Sequence, residues 1–304
     1  MNPGFDAFAM PLAALCAVLL DRLLGEVPRF HPLVGFGHVA TGIEAKLNRR
    51  SLAGGIIAWL LAVGPWVVLA FWLRSLASFA VDVVLLYFAL GAQSLCEHAE
   101  AIARPLREGR LEEARQRVGY VVSRETSGLD ESGIAKAGVE SVLENGNDAI
   151  FGTLFWFALL GGPGAVLFRL ANTLDAMWGY RTERFNLFGR FAARLDDALN
   201  WVPARLTALT YALLGRTRNA LACWQTQAPG WDSPNAGPVM SSGAGSLGVL
   251  LGGAAIYHGR EEIRPPLGAG PAPVAADLGR AITLIQRSLW LWLASLFLIG
   301  YLHA

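Results

Sequence analysis

Five short polar strings in this chain hold the residue types that chemistry needs. The first is Ser123-Arg124-Glu125-Thr126. The second places Glu140, Glu144, Asn145 and Asp148 within nine positions. On a helix, residues 140, 144 and 148 advance by about 40° per step, so they share one face. Three carboxylates on one face repel one another unless cations compensate. A hard cation such as Mg²⁺ takes oxygen ligands and keeps several waters, which suits a nucleotide site. Glu140, Glu144 and Asp148 are therefore expected as metal-holding or proton-handling groups. A solvated acidic face is the competing reading, and the apolar run that follows from Ile150 counts against it.

The third string is Asn172-Thr173 with Asp175, followed by Gly179-Tyr180. The fourth holds Arg194, Asp196, Asp197, Asn200 and Arg205. Arg194 and Asp197 lie three apart, and Asp196 and Asn200 four apart, so helical neighbours can pair. A buried ion-pair network is an alternative to a site here. Ionisable groups at membrane depth cost roughly 2.5–3.5 kcal/mol each on insertion scales, so they are seldom idle. The fifth string, Asp232-Ser233-Pro234-Asn235, is turn chemistry by default. His31 follows Asp21, Gly25, Glu26 and Pro28 and reads as a structural histidine. His38, His98, His258 and His303 have no metal-ligand spacing.

Other signatures are missing from the sequence. It has no Walker-type phosphate loop and no dinucleotide-binding glycine fingerprint after a strand. No nucleophile elbow is present. Asp196-Asp197 lacks the rest of a prenyl-diphosphate box. Cys16, Cys96 and Cys223 form no paired motif and read as reduced packing residues. The net charge of +1 argues against a nucleic-acid footprint.

The elements that must position these strings are apolar. Hydrophobic residues make up 54% of the 304 and charged residues 16%, whereas a soluble domain carries about 25% charge. Leu52 to Leu73 and Ser75 to Cys96 are each long enough to cross a bilayer, which takes about 20 residues. Only Arg74 separates them, so they read as a membrane hairpin, interrupted by Asp82. Ala281 to Tyr301 is a third span and Ala7 to Leu24 a weaker fourth. The first apolar stretch has no basic start or cleavage site, so it reads as no signal peptide. Ile150 to Ala171 contains Gly161-Gly162-Pro163-Gly164, which predicts two short helices dipping in and returning. Residues 97–148 read as helical, with Asp130 as N-cap before Glu131 and a stop at Gly146. Arg260 to Pro273 reads as a loop. Arg and Lys in 22–50, including Arg22, Arg29, Lys46, Arg49 and Arg50, and in 97–148 put both segments on the cytoplasmic side. A re-entrant pair keeps 172–200 there too. The expectation is an all-α, polytopic integral membrane protein, one domain over 1–304, with a broken apolar segment and cytoplasmic helical polar regions.

Taken in order, the strings resemble the CobD/CbiB family of adenosylcobinamide-phosphate synthases over nearly the whole chain. The resemblance rests on DRLLGEVPRFHP from Asp21, AGVESVLENGNDAIFGTLFWFALLGGPGA from Ala137 and NTLDAMWGY from Asn172. It continues through ARLDDALNWVPARLTAL from Ala193, SPNAG from Ser233 and Pro266-Leu267-Gly268. Glu26 and Glu125 stand where the family more often has Asp, which keeps the carboxylate and changes its reach.

The resemblance implies ATP-dependent joining of a propionate of adenosylcobyric acid to the amine of an aminopropanol phosphate, with Mg²⁺, in the bacterial cytoplasmic membrane. Such chemistry needs cationic clamps on phosphates and a group to take the amine proton. Glu140, Glu144, Asp148, Asp196 and Asp197 are the expected catalytic set. Arg124, Arg194 and Arg205 are the expected anion clamps. Asn145, Asn172, Asp175, Asn200, Ser233 and Asn235 are expected to bind substrate. Implied partners are the corrinoid, the aminopropanol phosphate and the bilayer; a homo-oligomer and later pathway enzymes stay open, and nucleic acid is excluded. The rival reading is a membrane transporter for corrinoids or other small molecules, which intramembrane charges and a broken apolar segment also suit.

Overall fold

The computed structural model describes residues 3–27, 31–257 and 259–304. Pro28, Arg29 and His258, named above, lie outside the described residues. The described chain is mostly helical: α1 (Pro3–Leu24), α2 (Pro32–Leu47), α3 (Leu52–Leu76), α4 (Ser78–Ala89), α5 (Ala92–Arg107), α6 (Leu111–Gly119) and α7 (Glu131–Gly146). A π-turn, Asn147–Phe151, leads to α8 (Gly152–Leu160), α9 (Gly162–Trp178), α10 (Arg190–Leu214), α11 (Thr217–Gln227) and α12 (Ala236–Leu247). Strands β1 (Leu250–Tyr257) and β2 (Arg260–Gly268) precede α13 (Ala275–His303). The chain divides into two compact units, where the sequence suggested one domain.

One unit is built from residues 1–92, 148–200 and 292–304. Its α3 is apolar all round, as a helix in an apolar solvent is. One side packs Ala58, Ala62 and Val63 among Leu170, Leu174 and Trp178 of α9 and Phe36 and Ala40 of α2. The other side leaves Leu60, Leu61, Val68 and Trp72 exposed. In water that surface would cost about 25 cal/mol per Å²; in lipid it costs nothing. Four stretches are long and apolar enough to cross a membrane: Ala7–Leu24, Leu52–Leu76, Ser78–Arg107 and Ala275–His303. They mark a membrane protein. The third is interrupted at Leu90–Gly91, between α4 and α5. The 12 residues of α4 reach only about 18 Å, so a crossing there also needs the start of α5.

The apolar segment 150–171 is broken where expected. Gly161 has φ 69°, a left-handed conformation that glycine adopts without strain, and separates α8 from α9. Asp82, read from sequence as an interruption of the second span, explains how the break is held. Its Oδ1 accepts the Gly162 N–H at 2.7 Å, at the start of α9. Arg74 Nε donates to both Asp82 oxygens at 2.9 and 3.1 Å.

The second unit comprises residues 93–147 and 201–291. Here α7 and α12 are buried along most of their lengths. Their polar groups are matched at close range. Tyr211 of α10 donates to the Leu143 carbonyl at 3.1 Å. Ser242 and Ser246 of α12 donate to the carbonyls of Ala208 and Tyr211 at 2.6 and 2.7 Å.

The all-helical expectation needs one correction in this unit. Residues 260–268, read as part of a loop, form β2, which pairs antiparallel with β1. Pro265-Pro266 suggested a loop because proline cannot donate to a ladder. The strands solve this with a register shift between Leu251 and Gly253, opposite the two prolines.

The Asp82 anchor makes a prediction. Asp82 serves two donors and its side chain is 6% exposed, against 38% for Arg74. Asp82→Ala should therefore destabilise the protein by about 3 kcal/mol or more, as breaking a buried charge pair does, and Arg74→Gln by clearly less. Thermal unfolding in detergent measures both, and equal losses would show that capping of α9 is not what holds the break.

Candidate functional site

Each unit contains a buried polar cluster. In the second unit, α7 starts where predicted, with Asp130 Oδ1 accepting the Gly133 N–H at 2.7 Å. Two turns further on, the helix carries Glu140 into the interior, 2% exposed. A carboxylate has about four acceptor sites, and Glu140 fills them with four donors. Its Oε1 accepts Gly252 N–H at 2.8 Å and Arg264 Nη2 at 3.3 Å. Its Oε2 accepts Arg264 Nη1 at 3.1 Å and Arg124 Nη2. No lone pair is left for a metal ion. The role expected for Glu140, as a metal or proton-handling group, gives way to holding two buried guanidiniums in place.

The chain supplies each donor for a local reason. Pro265 and Pro266 have no N–H to pair with β1. Gly252, at φ 74°, sits against them so closely that a Cβ would lie 2.1 Å from the Pro265 carbonyl oxygen. Its N–H turns instead to Glu140. The loop bearing Arg124 is tied to the hairpin, through Glu125 N–H to the Ile256 carbonyl at 2.8 Å and Gly259 N–H to Glu125 Oε1 at 2.7 Å. The Arg264 guanidinium lies 5.5 Å from the centre of the Trp231 ring. Ser123, Arg124, Glu140, Glu144, Trp231 and Arg264 line a cavity of about 260 Å³. Arginine forks in such a wall are suited to phosphate or carboxylate oxygens. Asn145 also lines it, its amide held by Ser141 O and Oγ at 2.9 and 3.1 Å.

Arg205, expected as an anion clamp, is committed elsewhere in this unit. It donates to the carbonyls of Trp201 and Pro234, both at 2.9 Å, and to Asn235 Oδ1 at 2.8 Å, and it covers the Trp201 ring at 4.4 Å. Ser233 Oγ accepts the N–H groups of Asn235 and Ala236. Arg205, Ser233 and Asn235 thus build one turn at the start of α12.

In the first unit, Asn172 of α9 and Asn200 of α10 donate to the two oxygens of Asp196 at 3.4 and 3.2 Å. Asp196 is pushed well above the ordinary carboxylate range, first by burial and then by the charges of Asp148 and Asp175; the two amides oppose this without cancelling it. Asp175 is pushed up to about 6 by burial, then by Asp148 and Asp197. Burial also raises Asp197, and Arg181 pulls it back. Arg194 is exposed. Asp148 thus acts electrostatically on Asp175 and Asp196, within its own unit. It is the second residue of the π-turn that follows α7. Among the described residues, no three His, Cys, Asp or Glu side chains gather as a metal site, so the expected three-carboxylate Mg²⁺ face is not assembled. His31 caps α2, its Nδ1 accepting the Leu33 N–H at 3.3 Å.

Sequence reasoning missed Arg264, Trp231 and Gly252. None belongs to a motif. The only signal was Gly252-Gly253 and Pro265-Pro266 flanking a short turn, the pattern of a bulged hairpin.

Fold and sites together define a helical membrane protein with an arginine-walled cavity and a buried carboxylate cluster. The chain belongs to the CobD/CbiB family: residues 14–285 match the family described as CobD/Cbib protein. It is 56% identical over 305 residues to the cobalamin biosynthesis protein CobD of Chromobacterium violaceum, covering 95% of this chain and 97% of that one. The protein of the same name from Stutzerimonas stutzeri is 57% identical over 300 residues, covering 96% and 99%. That of Halalkalibacterium halodurans is 36% identical over 307 residues, covering 95% and 96%. No solved structure matches the chain.

The Asp175 carboxyl gives a pH prediction. Its ordinary value is 3.8 and its folded value about 6. Between the two, the folded chain keeps a proton that the unfolded chain releases. The stability from this group is therefore present at low pH and lost as pH rises through about 6. Asp175→Asn should raise the detergent-phase melting temperature at about pH 7.5 and flatten its rise on acidification to about pH 5. A melting profile identical to the parent's would show that the charge of Asp175 is not strained in the fold.

Proposed function

We propose that the chain acts in cobalamin biosynthesis as an adenosylcobinamide-phosphate synthase, a ligase that forms an amide between adenosylcobyric acid and aminopropanol phosphate at the expense of ATP. The observation that carries this reading is the carboxylate–amide cluster around Asp196. Burial first, and neighbouring carboxylates second, push Asp175 and Asp196 above the ordinary carboxylate range, and two amides donate to Asp196. Such carboxyls favour a cation, and their all-oxygen donor set suits Mg²⁺, which is commonly held by one or two carboxylates together with substrate phosphates. When bound, Mg²⁺ would neutralise nucleotide phosphate charge.

A carboxylate is a poor electrophile, so ATP first transfers its γ-phosphoryl group to the corrinoid propionate, giving an acyl phosphate and ADP. The amine then attacks the acyl carbon, the C–O bond to phosphate breaks, and the nitrogen releases a proton as the amide forms. In this reading Asp175 and Asp196 would hold the cation together with substrate phosphates, with Asn172 and Asn200 orienting Asp196. Arg124 and Arg264 hold an anionic group, and Glu140 positions them. Glu144 lines the same cavity and is the group there closest to proton-handling chemistry. Segments 97–148 and 172–200 face the cytoplasm, and the α8–α9 break is a re-entrant pair in the cytoplasmic membrane.

Detergent-purified protein supplied with adenosylcobyric acid, aminopropanol phosphate and Mg²⁺-ATP should yield adenosylcobinamide phosphate. Glu144→Gln should lower turnover about 10²-fold or more while the melting temperature holds. No product, together with ATP-independent corrinoid uptake by vesicles, would replace the ligase with the transporter.

A further inference from the structure

We propose that an apolar cavity in the first unit takes an acyl chain of an anionic phospholipid from the bilayer, and that Arg169 holds the lipid's phosphate.

The cavity measures about 510 Å³ and is lined from α2, α3, α4 and α9, all within the first unit. Ordinary ligand sites span ~300–1,000 Å³. Phe36, Ala70, Ala89 and Leu170 line it and are buried, while Val39, Trp66 and Leu69 line it and are exposed. A rim of exposed apolar side chains is costly in water and at home in lipid. Trp66 and Leu69 belong to α3, whose outer face is apolar as well. The occupant therefore enters from the bilayer.

Among the residues that line the cavity, Arg169 alone is charged. Its Nε is buried and has no hydrogen-bond partner among the described residues. Glu26 and Asp148 act on the guanidinium electrostatically but leave that donor unmet, which costs stability. The Nη2 atom points to the α4–α5 break, since a Cβ at Gly91 would stand 3.6 Å from it. A plain alkane would fill the walls and leave the donor unmet. A small soluble anion would meet the donor but has no affinity for the apolar rim. An anionic lipid does both, because its chain covers the walls and its phosphate oxygens suit a guanidinium fork. A choline headgroup would bring a second cation beside Arg169 and is disfavoured.

Native mass spectrometry of the full chain, released from micelles carrying equal amounts of dioleoylphosphatidylglycerol and dioleoylphosphatidylcholine, tests this. The first lipid retained should be phosphatidylglycerol, by about tenfold, the worth of one charge-assisted bond. Excess inorganic phosphate should not displace it. Arg169→Gln should retain the two lipids equally and melt in detergent at or above the parent's temperature, because an unmet buried donor is gone. Gly35 lines the cavity, and a Cβ there meets nothing within 4 Å. Gly35→Phe thus fills the space without a clash, improves the helix and should lose the retained lipid of either kind. The proposal is overturned if the parent retains both lipids equally, if inorganic phosphate displaces phosphatidylglycerol, if the preference survives Arg169→Gln, or if Gly35→Phe retains lipid as the parent does. A melting temperature far below the parent's in Arg169→Gln would also overturn it, making Arg169 a counter-charge for Glu26 and Asp148 instead.

Discussion

Glu140 is the constraint on which the second unit depends. Taking a carboxylate out of water costs several kcal/mol, and only well-placed partners return it. Glu140 is 2% exposed, so most of its partners must come from the chain itself. Three separate pieces of chain must therefore arrive together: the 123–126 loop with Arg124, the bulge with Gly252, and β2 with Arg264. The backbone ties between Glu125, Ile256 and Gly259 have their reason here. They cost little in isolation and fix the loop against the hairpin to within hydrogen-bond tolerance. Two guanidiniums preorganised in this way need no rearrangement to meet an anion, which is how fixed dipoles and charges become effective in a site.

The legible parts of the fold were those that a solvent imposes. A bilayer demands about 20 apolar residues per crossing, so the spans read as Leu52 to Leu73 and Ala281 to Tyr301 fall within the helices Leu52–Leu76 and Ala275–His303. A helix start demands a cap, so Asp130 could be read too. The break at Gly161 followed from glycine and proline in an apolar run. What could not be read was decided by tertiary partners. The hairpin looked like a loop because its prolines delete ladder bonds, and only Glu140, over a hundred positions away, makes that deletion useful. The π-turn at Asn147–Phe151, directly after α7, is announced by nothing in the local sequence. Arg205 looked like an anion clamp because its type is right. Its fork is taken by a turn thirty residues on.

The two polar clusters handle buried charge in opposite ways. Around Glu140 the carboxylate is outnumbered by guanidiniums, and its acceptor sites are filled. Around Asp196 lie the charges of Asp148 and Asp175, and two neutral amides donate to its oxygens. The first arrangement is stable as it stands. The second is not: burial and mutual repulsion hold Asp175 and Asp196 above their ordinary range. Protons at low pH relieve it.

In the proposed reading, that difference follows from what each cluster would have to bind. A phosphate brings its own negative charge and needs cations already in place, so its site can be complete in the fold. A metal ion brings positive charge and needs unsatisfied oxygens, so its site must be left strained until the ion arrives. Filling the acceptor sites of Asp196 as those of Glu140 are filled would stabilise the chain. The strain at Asp196 is thus the cost of leaving oxygens available, and the saturation at Glu140 is the means of keeping one carboxylate out of the chemistry beside it.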